Sequence, residues 1–163
     1  MPEEVVVSNT SPLVYLHQVR QLELLSHLYG RVLIPRAVRE ELRAGLTKGF
    51  PVPDPDRLPW LHVQPLLDET LVPAVLDLGA GEAEAIALAL SSPRSLLILD
   101  DALGRRIARL NKIQCTGTLG VLVKAKQKGF LAALAPILEA LQGTNMWVRR
   151  DLIQWALREA GEA

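Results

Sequence analysis

Acidic side chains occupy a particular set of places in this sequence: Glu40 and Glu41 in Arg39-Glu-Glu-Leu42, Glu82 and Glu84 in Gly81-Glu-Ala-Glu84, and Asp100 and Asp101 directly after the apolar run Leu96-Leu-Ile-Leu99. Carboxylates at the ends of apolar segments add nothing to core packing. Converging on one cleft, they can hold a divalent cation against a phosphodiester. The pattern is nuclease-like.

Each of these residues also has a structural alternative. Asp101 can cap the helix that follows it, satisfying N–H groups without intrahelical partners; one residue suffices for a cap, which leaves the other Asp free. Glu82 and Glu84 stand at a helix start about 200° apart around the axis, so at most one faces a given cleft, and either can complement the helix dipole. Glu40 and Glu41 end a helix, where the dipole disfavours acids. Val38 and Leu42 mark its buried stripe, which puts Glu40 in solvent and Glu41 nearer the stripe's edge. Asn9 can ligate a cation through its carbonyl oxygen or cap a helix starting at Ser11-Pro12, capping being the commoner role. Thr116, Gly117 and Thr118 form a polar turn whose hydroxyls suit a water, a metal or a phosphate. Arg105, Arg106 and Arg109, with Lys112, Lys124, Lys126 and Lys128, concentrate positive charge in the second half of the chain. Guanidinium groups suit phosphate, and a solvated helix face carries them equally well.

The elements that must position these groups follow from hydrophobic patterning. Val5-Val-Val7 predicts a buried strand, the apolar spacing from Leu13 to Tyr29 a helix stopped by Gly30, Val32-Leu-Ile34 a second strand, and Pro35 to Leu42 a helix. The Gly- and Pro-rich stretch from Ala44 to Pro59 predicts a long loop. A strand around Trp60 to Val63, a helix from Glu82 to about Leu90, a strand over Leu96 to Leu99, and a helix from Asp101 whose Leu103, Ile107 and Leu110 face the core come next. Ile113 to Cys115 is strand-like, and helices broken at Gly129 and Gly143 complete the chain. Short apolar strands alternating with helices predict an α/β fold, a three-layer α/β/α sandwich around a mostly parallel sheet, with ligands beyond the carboxyl ends of the strands. Asn9 and the Asp pair stand at such ends.

At 163 residues the chain is expected to be one domain, 1–163, with a helical C-terminal part from about 131, and long enough to bury roughly 70% of its unfolded surface. Eighteen basic residues balance eighteen acidic ones, which excludes a global basic field, so any nucleic-acid affinity must be local. A lone cysteine, Cys115, and three histidines assemble neither a disulfide nor a zinc motif. The N-terminus lacks the layout of a signal peptide, and no apolar run reaches the roughly 20 residues of a membrane span, so a cytoplasmic protein is expected.

Five segments in this order, Val5-Val-Val-Ser-Asn-Thr-Ser-Pro-Leu13, Ile34-Pro-Arg-Ala-Val-Arg-Glu-Glu-Leu42, Gly81-Glu-Ala-Glu-Ala-Ile-Ala-Leu-Ala89, Leu97-Ile-Leu-Asp-Asp101 and Gly117-Thr-Leu-Gly120, resemble the PIN-domain family in its small prokaryotic VapC-like branch. The resemblance runs to about Gln142 and implies Mg²⁺- or Mn²⁺-dependent cleavage of RNA, often by a toxin neutralised by a small antitoxin, and often in a homodimer. Carried onto this chain, it implies Glu41, Glu82 and Asp101 as catalytic residues. The implied metal ligands are Asn9, Glu41, Glu82 or Glu84, and Asp101 with Asp100. Arg105, Arg106 and Arg109 would contact nucleic acid, and Thr10, Ser11 and Thr118 would support the site. The departure is Asn9, where the family usually has Asp; a neutral ligand should weaken metal binding. Two other readings compete. A catalytically silent PIN-like module binding nucleic acid or protein is favoured by Asn9. A methyltransferase using S-adenosylmethionine is suggested by Val75-Leu-Asp-Leu-Gly-Ala-Gly81, with Asp100 near the ribose-binding position. Against the latter, Ala83 replaces the third glycine and too little chain follows Asp101 to complete that sheet.

Overall fold

The computed structural model describes residues 4–75 and 77–163. Its centre is a five-stranded sheet in the order β3-β2-β1-β4-β5, in which every pairing is parallel. The strands are β1 (Val5–Ser8), β2 (Val32–Ile34), β3 (Leu61–Val63), β4 (Ser95–Ile98) and β5 (Gln114–Thr116). Successive side chains alternate between faces: Val6, Val32, Ile34 and Ile98 join one core, while Val7, Leu33, Leu97 and Leu99 join the other. Helices α1 (Thr10–Gln18), α2 (Leu24–Tyr29), α3 (Arg36–Thr47), α6 (Thr118–Gln127), α7 (Ala135–Gln142) and α8 (Arg150–Glu159) supply residues to the first core. Helices α4 (Ala80–Leu90) and α5 (Ala102–Leu110) supply the second. The expected α/β/α sandwich is therefore what the chain forms. Among the described residues no helix is long and apolar enough to cross a membrane.

Strands β1, β2 and β3 run outward to one side, and the chain then returns so that β4 and β5 extend the sheet on the other. The order reverses between β1 and β4, and the crevice beyond their carboxyl ends is where open parallel sheets bind ligands. Ser8 pairs with Ile98 at the end of that ladder, and Asn9 N–H donates to the Ile98 carbonyl at 3.0 Å. Asn9 and the Asp100-Asp101 pair are thus delivered side by side.

Local expectations needed correcting in several places. The helix expected over Leu13 to Tyr29 is two helices. Arg20 adopts φ 60°, its N–H donates to the His17 carbonyl, and Gln21 N–H reaches the Leu16 carbonyl at 2.8 Å. This is a Schellman stop with arginine where glycine is usual. The same device ends α5 at Lys112, φ 60°. Helix α3 runs on to Thr47, past the loop start expected at Ala44, and the loop is pinned against it: Arg39 donates to both oxygens of Asp56, at 2.9 and 2.8 Å. On α5 the buried face is centred on Gly104 and Ala108, and Leu110 is 76% exposed rather than facing the core. The last strand is shifted by a residue, to Gln114–Thr116.

Candidate active site

Asn9 follows β1 and stands at the N-cap position of α1. It is 3% exposed, its side chain makes no cap hydrogen bond, and its Oδ1 has no partner among the described residues. Of the two roles open to it in the sequence, capping is the one its side chain does not take. Leaving a buried carbonyl oxygen unpaired costs about 1–3 kcal/mol, which asks for a compensating ligand.

Glu41, on α3, is held from two other helices. Its Oε1 accepts the Gly81 N–H at 3.0 Å and its Oε2 accepts the Thr10 hydroxyl. The carboxylate thereby sits on the N-terminal turn of α4, where the helix dipole favours negative charge. Glycine at 81 makes this possible, since a β-carbon there would lie 2.7 Å from each Glu41 oxygen. The same glycine undoes the methyltransferase reading: Val75, Asp77 and Leu78 form no strand ahead of it, Leu76 lying outside the described residues.

Glu82 turns toward this region and Glu84 does not. Glu82 Oε2 is buried without a partner among the described residues. Burial raises its pKa above the ordinary glutamate value, and the charges of Asp101 and Glu41 raise it further, opposed by the Gly79 backbone. Glu84 instead lines a separate cleft with Arg36, Leu66 and Glu69. The 200° separation is realised, with Glu82 on the side of Glu41 and Asp101. Glu40 is exposed, as expected.

Both members of the Asp pair cap helices, so the expectation of one free carboxylate is corrected. Asp101 Oδ2 accepts the Gly104 N–H at 2.8 Å, capping α5. Asp100 Oδ1 accepts the Thr118 N–H at 2.8 Å and its Oδ2 the Thr118 hydroxyl at 2.7 Å, which fastens the start of α6 to the end of β4. Burial raises the pKa of Asp100, opposed by the Thr118 hydroxyl and N–H and by the Arg105 guanidinium. Gly117 leaves the room for this: a β-carbon there would fall 2.7 Å from Asp100 Oδ1 and 3.1 Å from Arg105 Nη1. Arg105 is accordingly half-buried beside Asp100, whereas Arg106 and Arg109 are exposed. Ser11 lies half-buried in the first turn of α1, and burial, then the charge of Asp100, raise the pKa of Tyr15, which patterning did not single out.

The crevice thus gathers Asn9, Glu41, Glu82 and Asp101 as oxygen donors, with Asp100 behind them in a structural role. Among the described residues no three His, Cys, Asp or Glu side chains stand close enough together to enclose a metal ion as they are. The donor set still suits a hard divalent cation: all are oxygens, several are carboxylates, and two buried acceptors, Asn9 Oδ1 and Glu82 Oε2, lack any donor.

A family model described as a PIN domain matches residues 5–162. Among solved structures, the chain resembles a PilT N-terminus domain protein from the hyperthermophilic archaeon Sulfolobus solfataricus, with a TM-score of 0.51 and 16% identity over 89% of this chain and 99% of that one. That likeness is one of fold. Among curated proteins none matches the sequence.

Proposed function

The chain belongs to the PIN-domain family, whose members are generally nucleases using divalent metals, and on that premise we propose that it is a Mg²⁺- or Mn²⁺-dependent endoribonuclease. In this reading it is VapC-like, the toxin-type component of a toxin–antitoxin pair, acting in the cytoplasm as a homodimer and silenced by a small antitoxin protein. The observation that carries the catalytic part is the pair of unpartnered buried oxygens, Asn9 Oδ1 and Glu82 Oε2, in one crevice with Glu41 and Asp101.

Asn9, Glu41, Glu82 and Asp101 would hold the cation. When bound, it supplies a lowered pKa for water and charge stabilisation at the phosphoryl and leaving oxygens. The chain's own groups have separate tasks. Thr10 and the Gly81 N–H fix the orientation of Glu41. Glu82, with one oxygen buried in the crevice beside Asp101 and Glu41, would orient an attacking water or receive its proton. Asp100 keeps the β5–α6 turn closed and Arg105 in place. Arg105, Arg106 and Arg109 receive phosphates along α5.

A second reading, a PIN-like module that binds RNA or protein without cutting it, is favoured by the neutral Asn9. One assay separates the two: cleavage of a mixed single-stranded RNA pool with Mn²⁺ by wild type, Asp101→Asn and Asn9→Asp. Cleavage by wild type that vanishes in Asp101→Asn supports the enzyme. Activity only in Asn9→Asp would assign the native protein to binding.

A further inference from the structure

Beside the crevice, past the end of β5, lies a second cleft of about 480 Å³. Asp100 and Arg105 lie on one side of it, and Trp147, Leu152 and Trp155 from the C-terminal segment on the other. Its volume is within the roughly 300–1,000 Å³ usual for small-ligand sites. Two features of it are unexplained by the fold. Trp147 is 82% exposed and Trp155 39%, whereas the remaining tryptophan, Trp60, is 8% exposed and donates its Nε1–H to Glu23 at 3.3 Å. Large indole faces left in water at a cleft are a cost unless something covers them.

The charge around the cleft restricts what that is. Its one acid, Asp100, is spent on Thr118, so it presents little negative charge outward. Positive groups lie on and near it: Arg105 on its wall, Arg106 and Arg109 exposed farther along α5, and Arg150 exposed at the start of α8, where Arg149 is paired with Asp151. Aromatic faces beside guanidinium groups are how proteins hold single-stranded nucleic acid, since every base has a π-face and every linkage a phosphate. Asp100, which lines the cleft, is the chain neighbour of Asp101 in the proposed site.

We infer that Trp147 and Trp155 form a stacking platform for the unpaired bases of a single-stranded RNA, with a flanking phosphate on Arg105. This deepens the ribonuclease reading and rests on its RNA substrate, though not on turnover. It makes single-strandedness the selected feature, because a duplex keeps its bases stacked on one another and offers the indoles no free face.

The test is tryptophan fluorescence during titration with oligoadenylate, alone and annealed to oligouridylate, in EDTA so that nothing is cut. Quenching by the single strand is expected, with buried Trp60 as a constant background, and weak or no quenching by the duplex. Trp147→Ala and Trp155→Ala should each weaken binding about 5-fold or more. Trp147→Phe should restore most of it, because phenylalanine keeps a stacking face. Circular dichroism checks that the variants fold, which the exposure of Trp147 favours. Unchanged affinity in both alanine variants would overturn the platform. So would a wild-type dimer that Trp147→Ala dissociates, since the face would then belong to a second copy. Binding through the tryptophans without Mn²⁺-dependent cleavage keeps this inference and overturns the nuclease. Cleavage with KM unmoved in the variants does the reverse.

Discussion

Gly81 and Glu41 meet with no space to spare: the glycine N–H donates to Glu41 Oε1 at 3.0 Å, and a β-carbon on Gly81 would stand 2.7 Å from both carboxylate oxygens. A helix-opening glycine is here the floor of a carboxylate seat, built across forty residues of sequence.

Gly81→Ala therefore tests whether that seat matters. Alanine favours helix by roughly 1 kcal/mol, yet its methyl group must expel Glu41 and forfeit a charge-assisted hydrogen bond of about 1.5–3 kcal/mol. The expected outcome is a net destabilisation of roughly 1 kcal/mol in urea unfolding, together with at least a tenfold rise in the Mn²⁺ concentration needed for half-maximal cleavage. An alanine variant more stable than wild type with an unchanged metal requirement would show that Glu41 is a surface acid.

Asp101 has two roles that one substitution can separate. Its Oδ2 caps α5 through Gly104, and asparagine caps a helix about as well as aspartate. Asp101→Asn should therefore change stability by only a few tenths of a kcal/mol, whereas Asp101→Ala costs about 1 kcal/mol. Both should abolish metal-dependent cleavage. Thermal melts of the three proteins beside their activities check this; activity that follows stability, surviving in the asparagine variant, would make Asp101 a cap and nothing more.

Much of this arrangement could be read along the chain, and the exceptions have physical reasons. The apolar runs of β1 and β4 and the acids at their ends carry local signals, so the crevice and the acids beside it are legible along the chain. Asn9 stands out as a candidate ligand only through the family resemblance, because by itself an Asn between strand and helix reads equally well as a cap, and the folded backbone is what withdraws its side chain from that role. Asp100 was read as spare because its partner, Thr118, arrives eighteen residues later from another strand end. The break after α1 escaped because Arg20 occupies a left-handed position that glycine usually announces. Trp147 and Trp155 escaped as well, since local pattern does not say which aromatic stays exposed.

The raised pKa of Glu82 has a sign that can be measured. An acid whose folded pKa lies above its unfolded value favours the folded state while protonated. That contribution is fully present below about pH 4 and is lost as pH rises through the folded pKa. Metal-free wild type and Glu82→Gln should thus melt alike at low pH and diverge above it, with the glutamine variant the more stable near neutrality because it carries no buried charge facing Asp101 and Glu41. Melting curves in EDTA across that range check the prediction. Equal stability throughout would mean that Glu82 is solvated as an ordinary glutamate is.

Asn9 decides how strongly the crevice binds its cation. Aspartate there adds a formal charge at a site 3% exposed, and among the described residues no donor is present to offset it. Without metal, Asn9→Asp should lower the melting temperature, because an uncompensated buried carboxylate is costly. With Mn²⁺ the order should invert: affinity for hard cations follows ligand charge, so the variant should gain more degrees on metal addition than wild type does. Differential scanning calorimetry of both proteins in EDTA and in Mn²⁺ reads the two effects separately. A variant destabilised in EDTA and not rescued by metal would show that the Asn9 oxygen faces a water-filled space outside the ligand set, and the catalytic assignment would then rest on Glu41, Glu82 and Asp101 alone.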